Sequence, residues 1–129
     1  MLGVVSGATG YLTATFWVRP ILRYLDLKDN IYSDLVFYAN AVMFDDDAVV
    51  VPEMRKPRVE ANRRSAAALA AVAMRLPRFY QWWLRHRRED PVAASCDLIG
   101  LSNAADRRSF DHRLRDLCMH LRLPSALRD

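Results

Sequence analysis

The stretch GVVSGATGYLTATFWVRPILRYLDLKDN, Gly3 to Asn30, decides how the chain is read. No charge occurs from Met1 to Val18, and Arg19, Arg23 and Lys28 follow at once. As a helix rising about 1.5 Å per residue, the uncharged run reaches about 27 Å, close to the thickness of a bilayer's hydrocarbon core. Phe16 and Trp17 stand at its inner end, where an aromatic belt lies in membrane proteins. The run reads as a membrane anchor. By the positive-inside rule the N-terminus is expected outside and the bulk of the chain in the cytoplasm, a single pass of the inner membrane. The competing reading is a buried helix of a soluble core, because Ser6, Thr9, Thr13 and Thr15 dilute the run. A signal peptide needs a basic start, and an interfacial helix needs a polar face; neither is present. Gly3, Gly7 and Gly10 share one helix face, which suits helix pairing and suggests a homo-oligomer.

Beyond Pro20 the apolar residues Tyr24, Leu27, Ile31, Leu35, Tyr38 and Val42 recur at steps of three and four, a helical stripe. The anchor is therefore expected to continue as a helix to about Val42. FDDDAVVVPEMRKP breaks the pattern. Asp45, Asp46 and Asp47 read as a solvated loop, without the alternation and central glycine of a calcium loop. Val49 to Val51 read as a short extended piece, and Pro57 as the first turn of the next helix.

A third helix is expected over Arg58 to Leu76, rich in alanine, ending at Leu76-Pro77. RFYQWWLRHRRED follows, then a helix with Asp90 as N-cap and Pro91 at its first position. In that helix Val92, Cys96, Ile99 and Asn103 make one stripe, with Leu98 and Leu101 beside it. Gly100 interrupts the pattern and predicts close approach by another element. The last helix carries a seam of Phe110, Leu114, Leu117 and Leu121, and Pro124 stops it. The expected fold is all-α: an anchor helix over 1–20 continuing into a bundle of three or four further helices over 21–124, with a tail over 125–129. Cys96 and Cys118 read as reduced core residues.

Charge is uneven. The net charge is +4, yet Arg55 to Arg88 holds ten basic residues against a single acid, Glu60. Such a segment suggests an anionic partner, or else internal charge pairing. Arg63, Arg64, Arg78 and Arg85 are candidates, with Arg87 and Arg88 and the aromatics Trp82 and Trp83. Aromatics interleaved with arginine suit anionic lipid headgroups or stacking on single-stranded nucleic acid, and equally a core cluster with solvated arginines.

Catalytic signals are weak. His112, Cys118 and His120 form the best metal candidate, but residues two apart on a helix point away from each other. No nucleophile elbow, phosphate loop or dinucleotide fingerprint occurs. No catalytic residue, metal or cofactor is expected, and an enzyme is not.

DLVFYAN (Asp34 to Asn40), LPRFY (Leu76 to Tyr80) and DLIGLSN (Asp97 to Asn103) occur in that order. Together they resemble a group of small bacterial proteins with an N-terminal transmembrane helix and a helical cytoplasmic part. The resemblance covers about Tyr11 to Asn103. It implies an anchored helical protein and carries over no catalytic residue, since no activity is assigned to the group. Arg78 inside the turn departs from the group's pattern. The resemblance suggests that Asn40 and Asn103 hydrogen-bond across helices. The expected function is a non-enzymatic, membrane-anchored interaction protein with the lipid bilayer as partner. The alternative is a soluble helical module binding nucleic acid through 55–88; a membrane-permeabilising effector is the third reading.

Overall fold

The structure, a computed structural model, describes residues 2–41, 52–104 and 106–124. Its elements are α1 (Leu2–Thr13), a π-helical turn (Ala14–Val18), α2 (Arg19–Ala41), α3 (Pro52–Arg75), α4 (Arg78–His86), α5 (Pro91–Asn103) and α6 (Arg107–His120). The all-α class is as expected. Thr13 and Arg19 both keep right-handed helical dihedrals, so α1, the π turn and α2 form one continuous rod. Pro20 explains the wide turn. Its ring collides with the carbonyl one turn back and it brings no N–H. Winding by five residues instead of four moves that carbonyl away, and the Arg19 N–H reaches the Ala14 carbonyl.

The anchor over 1–20, and with it the single-pass inner-membrane address, is corrected here. No helix among the described residues is long and apolar enough to cross a membrane. α1 has 12 residues, about 18 Å at 1.5 Å each. The rod beyond the π turn carries Arg19, Arg23, Asp26, Lys28 and Asp29. The buried-helix alternative fails as well, because every described side chain from Gly3 to Ala14 is exposed. The Thr9 and Thr13 hydroxyls bond the carbonyls four residues back.

The core starts where the rod meets α3. Tyr24, Ile31 and Leu35 of α2 bury against Ala66, Leu69 and Val72 of α3. α5 brings Ala94, Leu98 and Leu101, and α6 brings Leu117 and Cys118. The seam expected on α6 is present, with Phe110 and Leu114 half-buried and Leu117 and Leu121 fully buried. On α5 the expected stripe is wrong by more than a third of a turn. Val92, Cys96, Ile99 and Asn103 are exposed, and the buried face is Ala94, Ser95, Leu98, Leu101 and Ser102. α5 is sandwiched between α3 and α6, so two small hydroxyls go inward while Val92 and Ile99 remain in water. Ser95 and Ser102 satisfy themselves on the carbonyls of Val92 and Leu98. Cys96 is therefore exposed, contrary to expectation, and Cys118 is buried.

Local chemistry sets the helix ends. Asp90 accepts from the N–H groups of Val92 and Ala93, with Pro91 at the first helical position. Asp106 caps α6 through the Ser109 N–H, and those bonds hold its carboxyl below the usual range. Pro57 lies inside α3, not at its first turn, because the helix begins at Pro52. Gln81 donates to the Leu76 carbonyl at 2.9 Å, closing the end of α3. The loop expected over Asp45 to Asp47 and the extended piece at Val49 to Val51 lie outside the described residues.

Candidate functional site

α4 is short, and its nine residues bury only Leu84 fully. Tyr80 is half-buried against the core, and burial raises its phenol pKa, with Glu89 adding to the rise. The period of 3.6 then turns Arg78, Phe79, Trp82 and Arg85 outward. The rod passes this outer face. Trp17 meets Phe79 edge to face, with centroids 5.9 Å apart. Phe16, Trp17, Phe79 and Trp82 are 64%, 56%, 54% and 67% exposed, so the contact joins two apolar stretches into one surface in water. Contiguous exposed apolar surface is uncommon on soluble monomers, so this face is the candidate site.

A groove of about 610 Å³ runs beside it, between the rod and α3. Arg19, Arg23 and Arg75 line it, over Phe16, Pro20 and Val72. A second groove, about 530 Å³, lies by Leu84 and Glu89. Its acids are already engaged: Glu89 is held by Tyr24 and Lys28, and Asp90 caps α5.

The eight arginines and tryptophans singled out in the sequence do not form one surface. Arg63 donates to the Asn103 side chain at 3.2 Å, and Arg64 pairs with Glu60 at 3.0 Å, both near the middle of α3. Arg87 stacks on Trp83 at 4.5 Å, and its carbonyl accepts from Arg122. That pair ties α4 to the end of α6. Trp82 lies flat on His86, with centroids 5.8 Å apart. Only Arg78, Trp82 and Arg85 remain on the exposed α4 face, with Arg88 beside them in the second groove. Phe16 and Trp17 were read as an aromatic belt and Arg19 and Arg23 as its positive flank, not as parts of this surface; Phe79 and Arg75 were not assigned to it at all. The four-residue spacing of Arg19 and Arg23 was a legible signal. Arg75 was not legible, because only packing sets α3 beside α2.

No family model, curated protein or solved structure matches this chain. The three short motifs fall at corners of the fold. YAN ends α2, LPRFY makes the α3–α4 corner, and LIGLSN is the last half of α5. Asn103 takes the cross-helix bond from Arg63; the side chain of Asn40 lies outside the described residues.

Gly100 has a definite neighbour. A Cβ there would stand 2.9 Å from Nε of Arg113. The missing side chain lets that guanidinium cross α5 toward Asp97, at 3.6 Å. Asp97 is buried and also binds Nδ1 of His120 at 2.6 Å. His112 pairs instead with Asp116 at 2.9 Å, so His112, Cys118 and His120 are not brought to one centre. Among the described residues no group of His, Cys, Asp and Glu could hold a metal ion. Arg58 is 6% exposed, and its Nε and Nη1 have no hydrogen-bond partner. Its guanidinium lies 5.1 Å above Phe110, and burial, with Arg55 nearby, lowers its pKa.

Proposed function

We propose that this protein is a non-enzymatic interaction module that docks on an anionic lipid surface without crossing it. The observation that carries the reading is the Trp17–Phe79 contact, which makes one exposed aromatic surface out of two elements. Arg78 and Arg85 stand on the same α4 face, and Arg19, Arg23 and Arg75 border the groove beside it. Aromatic rings at headgroup depth with arginines around them match a lipid–water boundary. Each arginine near an anionic leaflet contributes about 1 kcal/mol.

Lipid fits better than nucleic acid. Val4, Val5, Leu12 and Val18 are exposed along the same rod. Acyl chains would cover such aliphatic surface, whereas a phosphate backbone would leave it in water. A second copy of this chain would set arginine against arginine.

The test is co-sedimentation with vesicles. Full-length protein is expected to bind phosphatidylcholine vesicles containing phosphatidylglycerol, to bind pure phosphatidylcholine weakly, and to shift its tryptophan emission to the blue. Salt should weaken binding without abolishing it, because the aromatic part is not screened. Absence of binding to the anionic vesicles would overturn the reading. So would tighter binding to single-stranded DNA with a steep salt slope, which favours the nucleic-acid alternative.

A further inference from the structure

The groove between the rod and α3 is more selective than a flat docking face. Arg19 and Arg23 come from one face of α2, and Arg75 comes from α3. Among the described residues no acidic side chain forms an ion pair with any of the three. Between them the floor is apolar: Ala68, Ala71 and Val72 on one side, Phe16 and Pro20 on the other. Ala68 and Ala71 leave room that longer side chains would fill. Three cations around an apolar trough are complementary to an anion that carries a hydrocarbon chain.

We propose that this groove seats the headgroup of a lipid phosphomonoester. The phosphate lies among the three guanidiniums, and the first part of the acyl chain runs over Ala68 and Ala71 toward Phe16. The inference rests on the lipid-surface reading above and names the headgroup that surface recognises. Guanidinium is a planar fork that pairs two N–H groups with two phosphate oxygens, so several arginines suit a group with three free oxygens. A phosphomonoester carries about −1.5 to −2 charges at neutral pH. A phosphodiester carries one, and two of its oxygens are tied up in esters. Inorganic phosphate has the charge but nothing to lay on the alanine floor.

The experiment compares two vesicle types matched in zeta potential: phosphatidylcholine with phosphatidic acid, and phosphatidylcholine with phosphatidylglycerol. The full-length protein is expected to bind the phosphatidic acid vesicles about fivefold tighter, the factor that one additional charge contact near the surface gives. Arg75→Gln should erase that preference while weakening phosphatidylglycerol binding no more than about fivefold. Ala71→Trp fills the trough, removes no charge and should erase the preference too. Both positions are exposed, and circular dichroism checks that both variants fold. Dihexanoyl phosphatidic acid should compete with the vesicles, and inorganic phosphate should not. Equal binding to both vesicle types, or a preference that survives Arg75→Gln, overturns the groove and leaves surface docking intact. Binding to neither overturns both. Competition by inorganic phosphate as effective as by the short-chain lipid overturns the lipid assignment in favour of a free anion.

Discussion

Tyr24 and Glu89 are 65 positions apart and meet in the core. The phenol donates to Oε1 of Glu89 at 2.5 Å, and Nζ of Lys28 reaches the same oxygen at 2.8 Å. A buried carboxylate without partners is costly; here a cation and a hydroxyl hold it. Burial, and then Glu89, raise the Tyr24 pKa far above its ordinary value of 10.0. A folded pKa above the unfolded one means the native state keeps the proton longer. The stabilisation is full below pH 10 and is lost as pH rises beyond it. Phenolate absorbance followed against pH should therefore show Tyr24 ionising only together with unfolding, and Tyr24→Phe should remove that late step. A Tyr24 phenolate forming in the folded protein would contradict this. Gly100→Ala sets two effects of similar size against each other. Alanine favours a helix interior by about 1 kcal/mol over glycine. The added Cβ pushes Arg113, which is half-exposed, off Asp97, a loss of under about 1 kcal/mol for such a pair. The melting temperature is expected to stay nearly constant, because Asp97 keeps His120. A large fall would mean that Arg113 matters more than its exposure implies.

At the scale of elements, α4 and α6 end alike. The Glu89 N–H bonds the Leu84 carbonyl, and the Leu123 N–H bonds that of Cys118, each across a residue with positive φ, Arg88 and Arg122. These closures usually carry glycine. No sequence signal marked them, because arginine in the left-handed region costs about 1–2 kcal/mol and is not expected there. The contacts on either side hold it: Leu123 is buried, and Glu89 is tied to Lys28. The π turn is the other feature of this scale. Pro20→Ala restores the missing N–H and removes the clash. It should stabilise the rod, by less than the roughly 3 kcal/mol of an unadapted interior proline, because the wide turn already absorbs part of that cost. Closing the turn rotates α1 by about 100°, one residue of a 3.6 repeat, and carries Trp17 away from Phe79. Higher thermal stability with weaker vesicle binding is the expected pair of results; unchanged binding would separate the π turn from the docking surface.

The whole molecule is a bundle with an arm. The side chains of residues 3–14 touch no core, and the core cluster begins on the rod at Ile21 and Tyr24. An isolated helix of this length is marginal in water, and glycine and threonine weaken it further. Deleting residues 1–18 should leave the melting temperature of the bundle within a few degrees and abolish vesicle binding. A collapse of the bundle would show that the arm supports the core.

The Asp90 cap with Pro91 behind it, the end of α3 at Leu76-Pro77 and the seam on α6 were legible in the sequence. Each depends on residues within about four positions of one another, and that local chemistry repeats wherever the pattern occurs. The buried face of α5 was misread, because a helix packed on two sides takes Ser95 and Ser102 inward and leaves Val92 outside. The uncharged leader was misread because Ser6, Thr9, Thr13 and Thr15 dilute its apolarity and the same rod runs straight on into Arg19, Arg23 and Asp26. By itself the sequence determined an all-helical chain and some helix ends, the Asp90 cap among them, but not the start of α3 at Pro52 or the closures of α4 and α6. Only the tertiary structure decided that Trp17 meets Phe79, that Arg75 joins Arg19 and Arg23, and that Gly100 admits Arg113. Those are distances between residues far apart in the chain, and packing alone sets them.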